Sequence, residues 1–224
     1  MRQKLVSIDK QHLSEYIVRQ LRNIAPLPVG DEDDLPLIAA HLDEALIRTQ
    51  RCIDEVRMWT PGQFDVLHSS QYCTFLYYLA NTIWRHEERR DVCTRLFILN
   101  KALNAIDLFY EVEMPEVFLI GHSVGIVLAK ATYGNFFVVY QNSTVGKNHG
   151  EAPVLEEGVI MYPNTAVIGH CVVRSRSIIA QGVSVVNRDT ESGKIAFQGE
   201  VGALRFKPMG HSIQDDFFRN FPGC

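Results

Sequence analysis

The spacing of apolar positions changes character about halfway along the chain. In the first half they recur at three- and four-residue steps. Leu13, Tyr16, Ile17, Leu21 and Ile24 share one face and predict a helix that ends before Pro26 and Pro28. Asp31-Glu32-Asp33-Asp34 reads as an acidic helix start, where carboxylates meet the positive end of the dipole. A helix from about Leu35 to Trp59 follows, closed by Thr60-Pro61-Gly62. Ser69-Ser70 reads as the N-cap of a helix from Gln71 to Arg85 carrying Phe75, Leu76, Leu79 and Ile83. A further helix runs from about Arg90 to Ile106, and these aromatic-rich stripes read as packing.

After about Pro115 helical spacing stops and a six-residue period takes over: Leu155, Met161, Val167, Val173, Ile179, Val185. Four residues after the first five stand Val159, Thr165, Cys171, Ser177 and Val183, all small or β-branched. Neither a helix nor an alternating strand repeats every six residues. A triangular solenoid does, because each flat side takes one hexad and every sixth side chain points into a narrow core. Upstream, Leu128-Ala129 fits a hexad, a slip near Tyr133 to Phe137 breaks the frame, and a second loop falls at Gly146 to Ala152. The expected organisation is α+β, with a helical part over 1–112, a coil over 113–208 and a tail over 209–224.

Composition adds exclusions. The 224 residues carry a net charge of −4, so no overall basic character argues for nucleic acid or an anionic membrane. Five scattered cysteines without a CxxC pair suit neither a disulfide framework nor a zinc knuckle, and imply reduced thiols in the cytoplasm. The first residues lack a signal-peptide core, and apolar stretches such as Phe75 to Ala80 are too short to cross a bilayer. His122, His149 and His170 lie 27 and 21 residues apart, without the close pair of metal-dependent hydratases of this coil type, so no metal is expected.

Gly121-His122-Ser123-Val124-Gly125-Ile126-Val127 is similar to the Asp-His-Ala-Thr-Gly-Ile-Val of the serine O-acetyltransferase family, and Gln141-Asn142-Ser143-Thr144-Val145-Gly146 resembles its Gln-Ser-Val-Thr-Leu-Gly. Pro153 to Val185 runs ungapped against the family's coil, including Glu157-Gly158-Val159, Gly169 and Gly182. Lys207-Pro208 falls where the family closes with Gly-Lys-Pro. The helical half, with Trp84 near the hinge, matches in order and type only. The resemblance implies a left-handed parallel β-helix behind the helical domain. It also implies acetyl-CoA as co-substrate, L-serine as acceptor, and a homo-trimer or hexamer with acetyl-CoA between neighbouring coils.

Acetyl transfer to an alcohol needs a base for the hydroxyl proton, stabilisation of the thioester oxyanion and an acceptor held in line. The resemblance assigns the base to His122 and its supporting carboxylate to Asp107, fifteen residues earlier as in the family. It implies direct attack without an acyl-enzyme, and Cys171 reads as packing. For the acceptor the match departs: Gly121 stands where the family has an Asp that holds the serine ammonium. Asp65 is the candidate second carboxylate, with Asp54 or Glu55 as alternatives, and the family's loop Arg-His pair is met only by Lys147, Asn148 and His149. His149 either contacts substrate or caps the loop. For CoA, Met161, Tyr162, Pro163, Ala180 and Gly182 match the pantetheine rungs, with Arg205 and Lys207 as phosphate partners. The chain ends Phe221-Pro222-Gly223-Cys224, not in the Ile peptide that docks into the family's cysteine synthase.

Three functions follow: serine O-acetyltransferase, an acetyltransferase for another small hydroxyl compound or a sugar, and an inactive coil used for assembly. Gly121 favours the second, while the helical domain and the Asp107/His122 interval favour the first.

Overall fold

Side-chain caps open two of the helices among the described residues. The computed structural model describes residues 4–27 and 33–222; Pro28, Asp31, Glu32, Gly223 and Cys224 of the sequence reading lie outside them. A short strand β1 (Lys4–Val6) precedes α1 (Lys10–Ile24), whose N-cap Asp9 accepts the His12 amide at 3.0 Å. The stripe Leu13, Ile17 and Leu21 is fully buried. Then come α2 (Asp34–Glu55), β2 (Gln63–Asp65), α3 (Ser69–Glu87) and α4 (Arg90–Asn104), with β1 and β2 paired in parallel.

Two predicted boundaries move. His68, not Ser69-Ser70, caps α3: its ring nitrogen Nδ1 accepts the Gln71 amide at 3.4 Å. α2 ends at Glu55, short of Trp59, because Val56 bridges to Phe218 of the distant tail instead of continuing the helix. Asp34, at the start of α2, and Arg95 on α4 form a 2.5 Å ion pair with side chains 1% and 4% exposed.

The second half is a parallel β-solenoid of three sheets. One sheet runs β4 (Phe118–Gly121), β7 (Phe137–Tyr140), β10 (Ile160–Met161), β13 (Ile178–Ile179), β15 (Lys194–Gln198) and β16 (Leu204–Pro208). The next holds β3 (Asp107–Leu108), β5 (Val127–Leu128), β8 (Thr144–Gly146), β11 (Ala166–Ile168) and β14 (Ser184–Val186). The third holds β6 (Thr132–Tyr133), β9 (Val154–Leu155) and β12 (Val172–Val173). The chain visits the three in turn. β3 pairs with β5, so the coil's first strand begins at Asp107, ahead of residue 113, and β16 closes the coil by pairing antiparallel to β15.

All six period-six positions, Leu155 through Val185, are at most 1% exposed. The corner residues Val159, Thr165, Cys171, Ser177 and Val183 are buried too. Polar corners satisfy one another: Ser143 and Thr165 hydroxyls meet at 3.0 Å, Ser177 and Thr190 at 2.8 Å. Burial pushes the Cys171 thiol up to about 11 and those of Cys52 and Cys73 to about 11 and 12, so none is a ready thiolate. Among the described residues no helix is long and apolar enough to cross a membrane.

Helix α3 positions strand β4 of the coil. Tyr77 donates to the Val112 carbonyl at 2.6 Å, Tyr78 to that of Pro115 at 3.0 Å, and both rings pack on Phe118 of β4. The tail adds a second tie. Gln214 of α5 (Gln214–Phe217) donates to the Gly158 carbonyl at 2.8 Å on the coil, and Arg219 reaches the helical part. The Arg219 guanidinium donates to the Asp54, Val56 and Arg57 carbonyls at 2.8, 2.6 and 2.9 Å, a cationic cap on the negative end of α2. Arg219→Ala is expected to cost about 1.5–3 kcal/mol and to expose the segment around Gln214–Phe217 to limited proteolysis while the coil stays resistant.

Candidate active site

Strand β4 carries the sequence-predicted base to the seam between the two halves. Its register places Gly121 opposite Tyr140 of β7, and His122 follows in a left-handed conformation with φ +55°. A cavity of about 280 Å³ opens there. The coil side supplies Leu119, Ile120, Gly121, His122 and Tyr140; the helical side supplies Met58, Trp59, His68 and Ser70. Trp59 and His68 stand edge to face at 5.6 Å. Because Nδ1 of His68 accepts the Gln71 amide, the neutral ring carries its proton on Nε2.

The register extends below Gly121. Val139 pairs with Met161 and Met161 with Ile179, so Tyr140, Tyr162 and Ala180 form one half-buried column down the coil edge. Tyr140 and Tyr162 stack at 5.9 Å with ring planes 12° apart, and burial raises the pKa of both phenols. Phe197 continues the column, with Arg205 paired across from it and the Lys207 ammonium 5.7 Å from its ring centroid.

Other sequence-predicted residues fall elsewhere. Met161 is fully buried, with its side chain in the coil interior. The Pro163 carbonyl accepts the Gly182 amide at 3.0 Å, and Gly182 sits exposed in a turn at φ +75°. Asp107 is held by Lys101 at 2.7 Å, and among the described residues no hydrogen bond joins its carboxylate to His122. Asp65 accepts the Leu67 amide at 3.0 Å and lines a neighbouring cavity that shares Trp59 and His68 with the His122 cavity. Asp54 accepts the Gly62 amide at 2.8 Å, and Glu55 holds Asn220 of the tail. His149 is exposed in a turn at φ +49° that Asn148 and Glu151 close, and it does not border the His122 cavity. Among the described residues no group of three metal-ligating side chains converges.

The chain has the serine acetyltransferase fold. It superposes on the serine acetyltransferase of Vibrio cholerae O1 biovar El Tor with a TM-score of 0.68 at 16% identity, over 90% of this chain and 81% of that one. The Brucella abortus enzyme gives 0.68 at 16% identity over 89% and 84%. Soybean serine acetyltransferase, solved in complex with serine, gives 0.67 at 17% identity over 90% and 85%. No family model and no curated protein sequence matches the chain.

Within this fold, Gly121 is explained by its neighbour. A Cβ there would lie 2.6 Å from Tyr140 Cε1, inside the space that ring fills. Restoring an acid by Gly121→Asp is expected to cost about 1–3 kcal/mol through overpacking. Adding Tyr140→Ala should recover most of that loss. Urea midpoints of the two variants check this, with non-additivity as the signature. Trp59, His68, Ser70 and Tyr140 were not singled out from sequence; for Tyr140 the usable signal was its place one rung after Gly121.

Proposed function

We propose that this chain is an acetyl-CoA-dependent O-acyltransferase in which His122 is the general base, with L-serine the first acceptor to test. The observation that carries the reading is the placement of His122 at the head of the Tyr140–Tyr162–Ala180 column and beside a cavity. From Gly121 to Phe197 the column spans four rung steps, roughly 19 Å at the usual strand spacing. That is of the order of an extended phosphopantetheine arm, with Arg205 and Lys207 at its far end for phosphates. Acyl carrier and acceptor would then meet at His122 from opposite sides.

The acceptor oxygen attacks the thioester carbonyl carbon while His122 takes the hydroxyl proton. The tetrahedral adduct collapses, the C–S bond breaks, and the imidazolium returns the proton to the departing thiolate. Attack is direct, and the buried, protonated Cys171 thiol takes no part. Asp107 supports the imidazolium in this reading once it exchanges Lys101 for His122. Three coils, as a trimer or paired trimers, would close the groove; exposed Val124 and Val127 beside His122 support such packing.

A second acceptor class has its own support. No carboxylate is among the described residues bordering the cavity, which offers the rings of Trp59 and Tyr140, the imidazoles of His68 and His122, the Ser70 hydroxyl and aliphatic walls. An ammonium would enter without a counter-charge, so a hydroxyl compound lacking an amino group suits this cavity better than serine. Thiol release from acetyl-CoA with L-serine, ethanolamine, glycerol and an alkyl galactoside separates the two. A kcat/KM for serine at least tenfold above the others supports the serine enzyme, and the reverse order supports the uncharged acceptor.

A further inference from the structure

A cavity of the helical part that is bordered by charged side chains lies away from His122. On α2 the positions Glu44, Ile47, Arg48 and Arg51 share one face by their three- and four-residue spacing. On α3, Tyr78, Asn81, Thr82 and Arg85 form the facing stripe. The segment Met114 to Glu116 completes the walls of a cavity of about 360 Å³.

Five charged side chains border it, and four have an opposite charge or a histidine. Glu44 holds His86 at 2.8 Å, Arg51 and Glu116 pair, and Arg85 pairs with Glu113 outside the cavity. Arg48 differs. Its guanidinium donates to Thr82 Oγ1 at 2.8 Å and Asn81 Oδ1 at 2.7 Å, both neutral, and its Cζ lies 4.4 Å from the Tyr78 ring centroid. Among the described residues no carboxylate pairs with it. A guanidinium carries five N–H donors, so three are left without a protein acceptor. The group is half-buried between two helices, where an unpaired charge is costly. Arg51 and Arg85 face the same space through exposed pairs, which exchange partners at little cost.

We propose that the Arg48 cavity binds a small oxyanion, a carboxylate or phosphate group of a soluble metabolite, with Arg48 as the primary contact and Arg51 and Arg85 as flanking donors. Arg48 is pre-oriented by Thr82, Asn81 and Tyr78, so its fork is held ready for a two-point contact. Ile47, Met114 and Pro115 supply an apolar wall for the carbon skeleton. The floor of the cavity leads through Glu116 directly into β4, the strand whose far end carries His122.

The test is binding of inorganic phosphate and of succinate to the whole protein. Thermal midpoints and calorimetry are read against sodium chloride at equal ionic strength. At about 100 times Kd either anion should raise the midpoint by about 5 °C or more. Arg48→Gln should abolish the shift, and Arg205→Gln/Lys207→Gln should leave it intact, separating this site from basic residues on the coil. If Arg48→Gln does not fold, Arg48→Lys should weaken binding about tenfold by losing the fork. A phosphate shift without a succinate shift assigns a phosphoryl group, and the reverse a carboxylate. No shift with either anion, or a shift that survives replacement of Arg48, overturns the proposal.

Discussion

Replacing His122 with Ala is expected to lower kcat for acyl transfer by about 10³-fold, within the range general-base removal usually produces. Affinity for acetyl-CoA should remain within about threefold. The ring is exposed, takes no hydrogen bond from the protein among the described residues, and lies 6.3 Å from Tyr140 between ring centroids. Its loss therefore removes chemistry without removing packing. One complication is the backbone: His122 sits at φ +55°, where Ala is less at ease than Asn or Gly. His122→Asn should thus keep the wild-type thermal midpoint more closely than His122→Ala while losing as much turnover. Steady-state thiol release and calorimetric binding of acetyl-CoA on both variants separate the two effects.

The second large effect is on stability. Asp34→Ala is expected to destabilise the protein by about 3–5 kcal/mol, because it leaves Arg95 charged and buried without its partner. The geometry allows little relief: Arg95 Nε is committed to the Ala25 carbonyl at 2.8 Å and the side chain is 4% exposed. Replacing both members, Asp34→Leu with Arg95→Met, should recover most of the loss or exceed wild-type stability, since apolar pairs of similar volume often replace a buried ion pair without penalty. Urea unfolding of the two single variants and the double variant gives the cycle directly.

The coil was legible in the sequence because its period is the geometry itself. A residue at Leu155, Met161 or Val167 must be apolar to fill a triangular interior, and each is buried as that spacing requires. The early coils were harder to read because their rungs differ in length. Ile160 pairs with Ile178, eighteen residues on, but Gly121 pairs with Tyr140, nineteen on, and Val139 with Met161, twenty-two on. Those extra residues are the slip near Tyr133 to Phe137 and the loop around His149. Insertions of this kind displace the repeat without altering the faces it builds.

The helical wall of the site was not legible for a different reason. Which loop of the first half meets the coil is decided by long-range contacts: Tyr77 and Tyr78 on Phe118, and Arg219 on the end of α2. No local pattern encodes them. The resemblance offers Asp65 as an acceptor ligand, yet Asp65 lines a neighbouring cavity that shares Trp59 and His68 with the His122 cavity. Gly121 was visible as a departure from the serine acetyltransferase motif. Only the structure shows that Tyr140 fills the space an acid there would need.

The central claim is that this solenoid carries an acyl-CoA to His122, and turnover tests it most directly. Thiol release from acetyl-CoA should be measured for the wild-type protein across amino-alcohol and uncharged hydroxyl acceptors, with acetyl-CoA binding followed in parallel. Saturable, acceptor-dependent release with at least one compound, lost in His122→Asn, is the result predicted here. No release with any acceptor, together with no binding of acetyl-CoA, would contradict it and leave the coil as an assembly scaffold.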